Sequence, residues 1–126
     1  MTKEKIELEY DIRSAPGILY NRLVTPGGLA EWFADNVKIN DHIYTFVWEG
    51  SEEEAEMLQS IEGESVRFKW VDDDEEESYF EFKIKIDSLT GDIALIVTDF
   101  AEPDEVNETT NLWDKQIGKL KLILGS

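Results

Sequence analysis

The sequence predicts an α+β fold, a curved antiparallel sheet of about seven strands with two short helices after strand 1 and one long C-terminal helix. Three observations carry this expectation. Apolar and charged side chains alternate strictly over residues 6–13. Short alternating runs separated by turn residues occupy the stretch from Val37 to Phe100. Helical spacing of apolar residues is confined to residues 16–33 and to the end of the chain from Trp113; periods of two and of 3.6 residues are the respective marks of a half-buried strand and an amphipathic helix.

In the first strand Ile6, Leu8, Tyr10 and Ile12 alternate with Glu7, Glu9, Asp11 and Arg13, giving one apolar and one wet face. Ser14 is expected to cap the helix that follows, Pro16 suits its first turn, and Ile18, Leu19, Leu23 and Val24 carry it to Thr25. Pro26, Gly27 and Gly28 are expected to break it. Leu29, Trp32 and Phe33 then recur at i, i+3 and i+4, the spacing of one face of a second short helix.

From Val37 the turns punctuate an antiparallel meander of about six strands. Asn40-Asp41 and Glu49-Gly50-Ser51 bracket Ile43 to Trp48; Ile61-Glu62-Gly63-Glu64 precedes Val66, Phe68 and Trp70; Leu89-Thr90-Gly91-Asp92 separates Phe80 to Ile86 from Ile93 to Phe100. Loops this short cannot make parallel crossovers. After Pro103 the acidic residues Asp104, Glu105 and Glu108 lead a segment in which Lys115, Lys119 and Lys121 come last, the polarity that suits a helix dipole. Trp113, Ile117, Leu120 and Leu124 form one stripe of that helix, whereas Lys119-Leu120-Lys121-Leu122 also alternates as a strand would.

Composition narrows the function. The 126 residues fit one domain spanning 1–126, of a size that removes roughly two thirds of its unfolded surface from water. The chain has no cysteine, so disulfides, thiolate nucleophiles and cysteine-zinc sites are excluded and a cytoplasmic location is expected. Lysines and a glutamate between Met1 and Ile6, with no apolar stretch behind them, predict neither a signal peptide nor a membrane span. The net charge of −17 is concentrated between residues 51 and 110. A field of that sign repels phosphate, so nucleic acid and anionic membranes are unsuitable partners. Hydrophobic content of 41% with four tryptophans speaks against a disordered acidic chain.

A bent sheet has one concave apolar face, and only the terminal helix is long enough to cover it. A cavity between the two is therefore expected, lined by Trp32 and Phe33 from the second short helix, Trp48, Trp70, Phe82 and Ile84 from the sheet, and Trp113, Ile117 and Leu120 from the terminal helix. The alternative is that these side chains fill the space, since aromatic rings bury roughly 150–250 Å² each. The acidic run Asp72 to Glu77 lies between two strands as a solvated hairpin loop; its spacing and lack of glycine do not suit an EF-hand, and Glu52, Glu53, Glu54 and Glu56 receive the same reading. No metal and no cofactor are expected. His42, the single histidine, stands beside a turn and is poorly placed to serve as a catalytic base. Gly27-Gly28 lacks the lysine and strand context of a phosphate-binding loop.

Three local patterns resemble one family. Thr25 to Phe33, with a proline-led turn, a leucine and a tryptophan followed by an aromatic residue, is similar to a stretch in the helix-grip superfamily of START lipid-transfer domains and the pollen allergen Bet v 1, in the branch of the activator of the heat-shock-protein-90 ATPase. Ser65 to Trp70 resembles that branch's mid-sheet strand, and Asn111-Leu112-Trp113, with Ile117 and Leu120, resembles the opening of its last helix. The resemblance implies a helix-grip domain around a hydrophobic cavity, often dimeric, whose members bind lipids or other small apolar molecules, with a minority of cyclases and hydrolases. The sequence departs from the pattern in its shortness, in ending soon after Leu124, and in lacking a histidine within Thr98 to Ala101. A smaller or more closed cavity is therefore expected, and chaperone stimulation is not carried over. The expected function is non-catalytic binding of a small apolar molecule or lipid. The alternatives are a homodimeric or partner-binding module with a filled core, and an enzyme using Asp35 or Asp99 as an acid in an apolar pocket.

Overall fold

The computed structural model describes residues 3–75 and 77–125; Met1, and Glu76 of the acidic run, lie outside them. Strand β1 (Glu4–Ile12) is followed by α1 (Pro16–Val24) and α2 (Pro26–Leu29). The meander then runs β2 (Asn36–Asn40), β3 (Ile43–Trp48), β4 (Ser51–Ile61), β5 (Ser65–Trp70), β6 (Phe80–Ile86) and β7 (Ile93–Ala101). A 3-10 turn, Pro103–Glu105, leads into α3 (Val106–Leu124). The strands form one curved antiparallel sheet in the order β1-β7-β6-β5-β4-β3-β2, so the first strand of the chain pairs with the last.

The alternation read along β1 holds. Ile6 and Ile12 are buried, Leu8 and Tyr10 half-buried, and the acidic residues between them exposed. Ser14, however, does not cap α1: its hydroxyl donates to the Ala15 carbonyl, and Ala15 is the N-cap, with no side-chain bond. Proline fixes the first helical φ and brings no N–H of its own to satisfy, so α1 starts cleanly at Pro16 without a polar cap.

The break between the short helices lies one residue earlier than expected. Thr25 is extended, with φ −86° and ψ 146°, and Pro26-Gly27-Gly28-Leu29 is itself the second helix. The Thr25 hydroxyl caps it, accepting from the Gly28 N–H at 2.9 Å while donating to the Asn21 carbonyl at 2.8 Å. Gly28 is required by contact rather than by φ: a Cβ there would lie 2.4 Å from the Asn21 carbonyl oxygen and 2.7 Å from the Arg22 Cα. Trp32 and Phe33 stand in the turn after α2, not on it. Their spacing from Leu29 still brings all three into the core, because the Phe33 and Ala34 N–H groups both donate to the Leu29 carbonyl and wind the turn helically.

The concave face of the sheet is a row-by-row aromatic layer. Tyr44 and Phe46 of β3, Val66 and Phe68 of β5, Phe80, Phe82 and Ile84 of β6, and Leu95 and Val97 of β7 are buried side by side. Helix α3 closes over them with Trp113, Ile117 and Leu120. Leu120 is fully buried while Leu122 is 81% exposed, which decides between the two readings of the chain's end, since a strand would put both on one face. The helix ends where Gly125 takes a left-handed φ of 72° and its N–H reaches back to the Lys121 and Leu122 carbonyls. Edge-to-face and stacked pairs alternate in this layer: Phe33 approaches Phe46 edge-on at 4.9 Å and stacks on Trp113 at 5.8 Å, while Trp113 meets Phe82 edge-on at 5.6 Å.

Strand β4 bends at a bulge between Met57 and Gln59, which leaves Leu58 on the exterior. Among the described residues no helix is long and apolar enough to cross a membrane.

Candidate functional site

The aromatic layer does not reach the end of the sheet. Where β3, β5 and β7 finish and β4 and β6 start, the sheet and the first half of α3 diverge around a pocket of about 510 Å³, within the range of small-molecule sites. Its apolar wall consists of Phe33, Trp48, Trp70 and Trp113, with Leu112 beside them. Trp48 and Trp70 follow from the rows already described: each stands two residues beyond a buried phenylalanine on the same face of its strand, at the point where α3 no longer covers it. Their rings lie 6.3 Å apart and both remain half-buried.

The wall is fixed through one carbonyl. The oxygen of Phe33 accepts from Trp48 Nε1 at 2.9 Å and from Gln116 Nε2 at 3.1 Å, joining the α2 turn, β3 and α3 at a single atom. The tryptophan ahead of it is anchored in the same way, with Trp32 Nε1 donating to the Arg22 carbonyl at 2.8 Å.

The polar side of the pocket is acidic. The alternation that buries Leu95 and Val97 turns Asp99 inward, where its Oδ2 accepts from Trp113 Nε1 at 2.8 Å and its Oδ1 from the Phe100 N–H. Burial pushes its carboxyl above the ordinary aspartate range, and the hydrogen bonds from Trp113 and Phe100, with the charge of Lys3, only partly offset this. Asp73 from the β5–β6 loop pairs with Lys3 at 3.2 Å and accepts the Glu75 N–H. Burial acts against its ionisation too, but the Glu75 N–H, Lys3 and Lys69 outweigh it and hold the carboxyl below the usual range. Glu53, on the same face of β4 as the buried Ala55, completes the set together with Ser51, Ser78, Thr109 and the Tyr79 and Phe100 segments.

Of the nine residues expected to line a cavity, Phe33, Trp48, Trp70 and Trp113 border this pocket. Trp32, Phe82, Ile84, Ile117 and Leu120 are buried in the packed core, with Trp32 also edging a second cleft beside Asp35 and Lys119. Lys3, Asp73 and Tyr79 carry no periodic signal, because a chain end and a loop bring them to the site. Gln116 has one: it stands three residues after Trp113, on the same side of α3.

The acidic run is less free than a solvated loop. Lys69 Nζ donates to the carbonyls of Glu75 and Ser78, and Asp73 turns in towards Lys3. No group of three or more acidic or histidine side chains among the described residues is arranged to hold a metal ion. His42 is exposed in the β2–β3 turn. Asp35 is also exposed, its carboxylate accepting the Glu49 N–H at 3.0 Å, so of the two carboxylates weighed for acid chemistry only Asp99 faces the pocket.

Comparison with known proteins agrees with this architecture. The protein BfR322 from Bacteroides fragilis, solved by NMR, is 41% identical, with a TM-score of 0.70 over 98% of this chain and 92% of its own. The Aha1 dimer from Colwellia psychrerythraea shares the fold at 17% identity, with a TM-score of 0.81 over 96% of each chain. MLL2253 from Mesorhizobium loti does so at 16% identity, with a TM-score of 0.79 over 97% of each. Among curated proteins none matches the sequence. The model of the START-like superfamily domain matches residues 1–126, and the chain belongs to that superfamily.

Proposed function

We propose that this protein binds a small apolar molecule, without catalysing its conversion, in the pocket between the sheet end and the first half of α3. One observation carries the reading: Tyr44, Phe46, Phe68, Phe80 and Phe82 of the inner face are buried, whereas Trp48 and Trp70, which continue two of their strands into the pocket, keep part of their surface exposed. Leaving two large apolar rings partly wet forgoes burial worth roughly 25 cal/mol per Å². A ligand that covers them recovers it.

The test uses a neutral apolar probe, octanol, followed by tryptophan fluorescence and native mass spectrometry. Saturable binding that weakens at least about tenfold in Trp70→Ala, with the thermal midpoint still cooperative, supports the reading. Absence of binding to the wild-type chain removes it.

A second reading has its own observation. Leu122 and Ile123 stand 81% and 40% exposed at the end of α3 and Leu112 57% exposed near its start, apolar side chains that a second copy would cover, and the protein from Colwellia psychrerythraea is a dimer. Light scattering separates the two: a stable dimer that ignores octanol favours the second, and a monomer that binds it favours the first.

A further inference from the structure

We infer that the pocket selects an apolar molecule carrying an organic cation, an amine or quaternary ammonium, and rejects the carboxylate of the same skeleton. The inference rests on the binding role proposed above and adds the chemistry of the head group.

The walls and the charges point the same way. Trp48 and Trp70, both half-buried, border the cavity with their indole rings, and the face of an indole is the aromatic surface that attracts a cation most strongly. Three carboxylates border the same space, Glu53, Asp73 and Asp99, against one ammonium, Lys3, among the described lining residues. Lys3 is already engaged by Asp73 at 3.2 Å. An entering anion would meet Glu53 and Asp99 with no unengaged lysine or arginine on the lining, whereas a cation meets both favourably.

Asp99 is suited to this by its construction. Each of its oxygens accepts one hydrogen bond from the protein, from Trp113 Nε1 and from the Phe100 N–H. A carboxylate has about four acceptor positions, so both oxygens retain capacity for the N–H of an amine, while a quaternary ammonium, which has no N–H, meets only their charge. The bond from Trp113 fixes the carboxylate at the wall of the pocket that the half-buried rings of Trp48 and Trp70 also border. Burial raises the carboxyl's pKa, and a bound cation favours the ionised form, so cation binding releases a proton where Asp99 is partly protonated and strengthens as pH rises. Glu53, Asp73 and Lys3 are the other titratable groups on the lining, with Tyr79. The net charge of −17 adds a long-range field that draws cations towards the molecule and weakens with salt.

The experiment compares octyltrimethylammonium, octanol and octanoate by calorimetry below their micellar concentrations, at about neutral pH and low salt. The expected order is ammonium, alcohol, carboxylate, with about tenfold or more between the first and last. Glu53→Gln, at the exposed end of β4, and Asp99→Asn, in which the amide oxygen still accepts from Trp113, should each narrow that gap. Lys3→Gln should widen it. Equal binding of all three probes, or tighter binding of octanoate, overturns the inference while leaving an apolar site. Failure of every probe overturns the binding role as well.

Discussion

Trp113 and Asp99 are joined by an indole-to-carboxylate hydrogen bond of 2.8 Å that ties the covering helix to the last strand at the rim of the pocket. The carboxylate occupies an inward position of β7 in line with Leu95 and Val97, and its surroundings hold its pKa above the ordinary range through burial.

A pH dependence follows with a definite sign. The folded chain binds the Asp99 proton more tightly than the unfolded chain. The stabilisation this contributes is complete below the unfolded value, near about pH 4, and is lost as pH rises through the folded value. Asp99→Asn abolishes that slope while keeping an acceptor for Trp113. Urea midpoints measured from about pH 3 to 7 should therefore shift in favour of the variant, relative to wild type, as pH increases. A constant difference, or one of opposite sign, would show that the carboxyl is not held high.

Gly28 and Gly27 are neighbours with opposite expectations. Alanine at Gly28 drives its methyl group into the backbone of α1 and should cost about 1–3 kcal/mol in denaturant unfolding. A Cβ at Gly27 meets nothing within 4 Å, so Gly27→Ala should be neutral or stabilising by up to about 1 kcal/mol. Equal costs at both positions would refute the close approach of the two short helices.

Phe33 joins the core through both its ring and its carbonyl. Phe33→Ala leaves a cavity among Phe46, Phe80, Phe82 and Trp113 and should cost about 3–5 kcal/mol. Gln116→Ala removes only one of the two hydrogen bonds to the Phe33 oxygen and should cost about 0.5–1.5 kcal/mol. Chemical denaturation of the two variants checks the ranking.

Calcium should leave the thermal midpoint unchanged apart from the general effect of ionic strength. Asp73 is committed to Lys3 and the Glu75 N–H, while Asp72, Asp74 and Glu77 are exposed and converge on no common point. A saturable upward shift at millimolar calcium, absent with matched sodium chloride, would contradict this.

The sequence revealed the order of elements because period and punctuation agree along most of the chain. Ile6 to Ile12 alternates without exception, and the turns at Gly50, Gly63 and Gly91 each stand between paired strands. It was less clear wherever one residue serves two purposes. Pro26 and Gly28 read as helix breakers, yet proline is also a helix starter and glycine permits the close packing that makes α2 possible. Consecutive glutamates at 52–54 obscured the start of β4, where the strand's end is solvated on both sides. Within the site, Trp48, Trp70 and Trp113 could be read from the rows they extend. Lys3 and Asp73 could not, because they meet across 70 positions of sequence and no periodicity encodes that distance.

Because β1, among the described strands, pairs with β7 alone, from Glu4 opposite Ala101 to Ile12 opposite Ile93, this strand has no partner until one about 90 residues later exists. On the ribosome, at roughly 5–20 residues per second, Ile6 and Ile12 wait for seconds with their oily side uncovered. Glu7, Glu9 and Asp11 stand between them, charged side chains of the kind that discourage an unpaired strand from pairing with another chain.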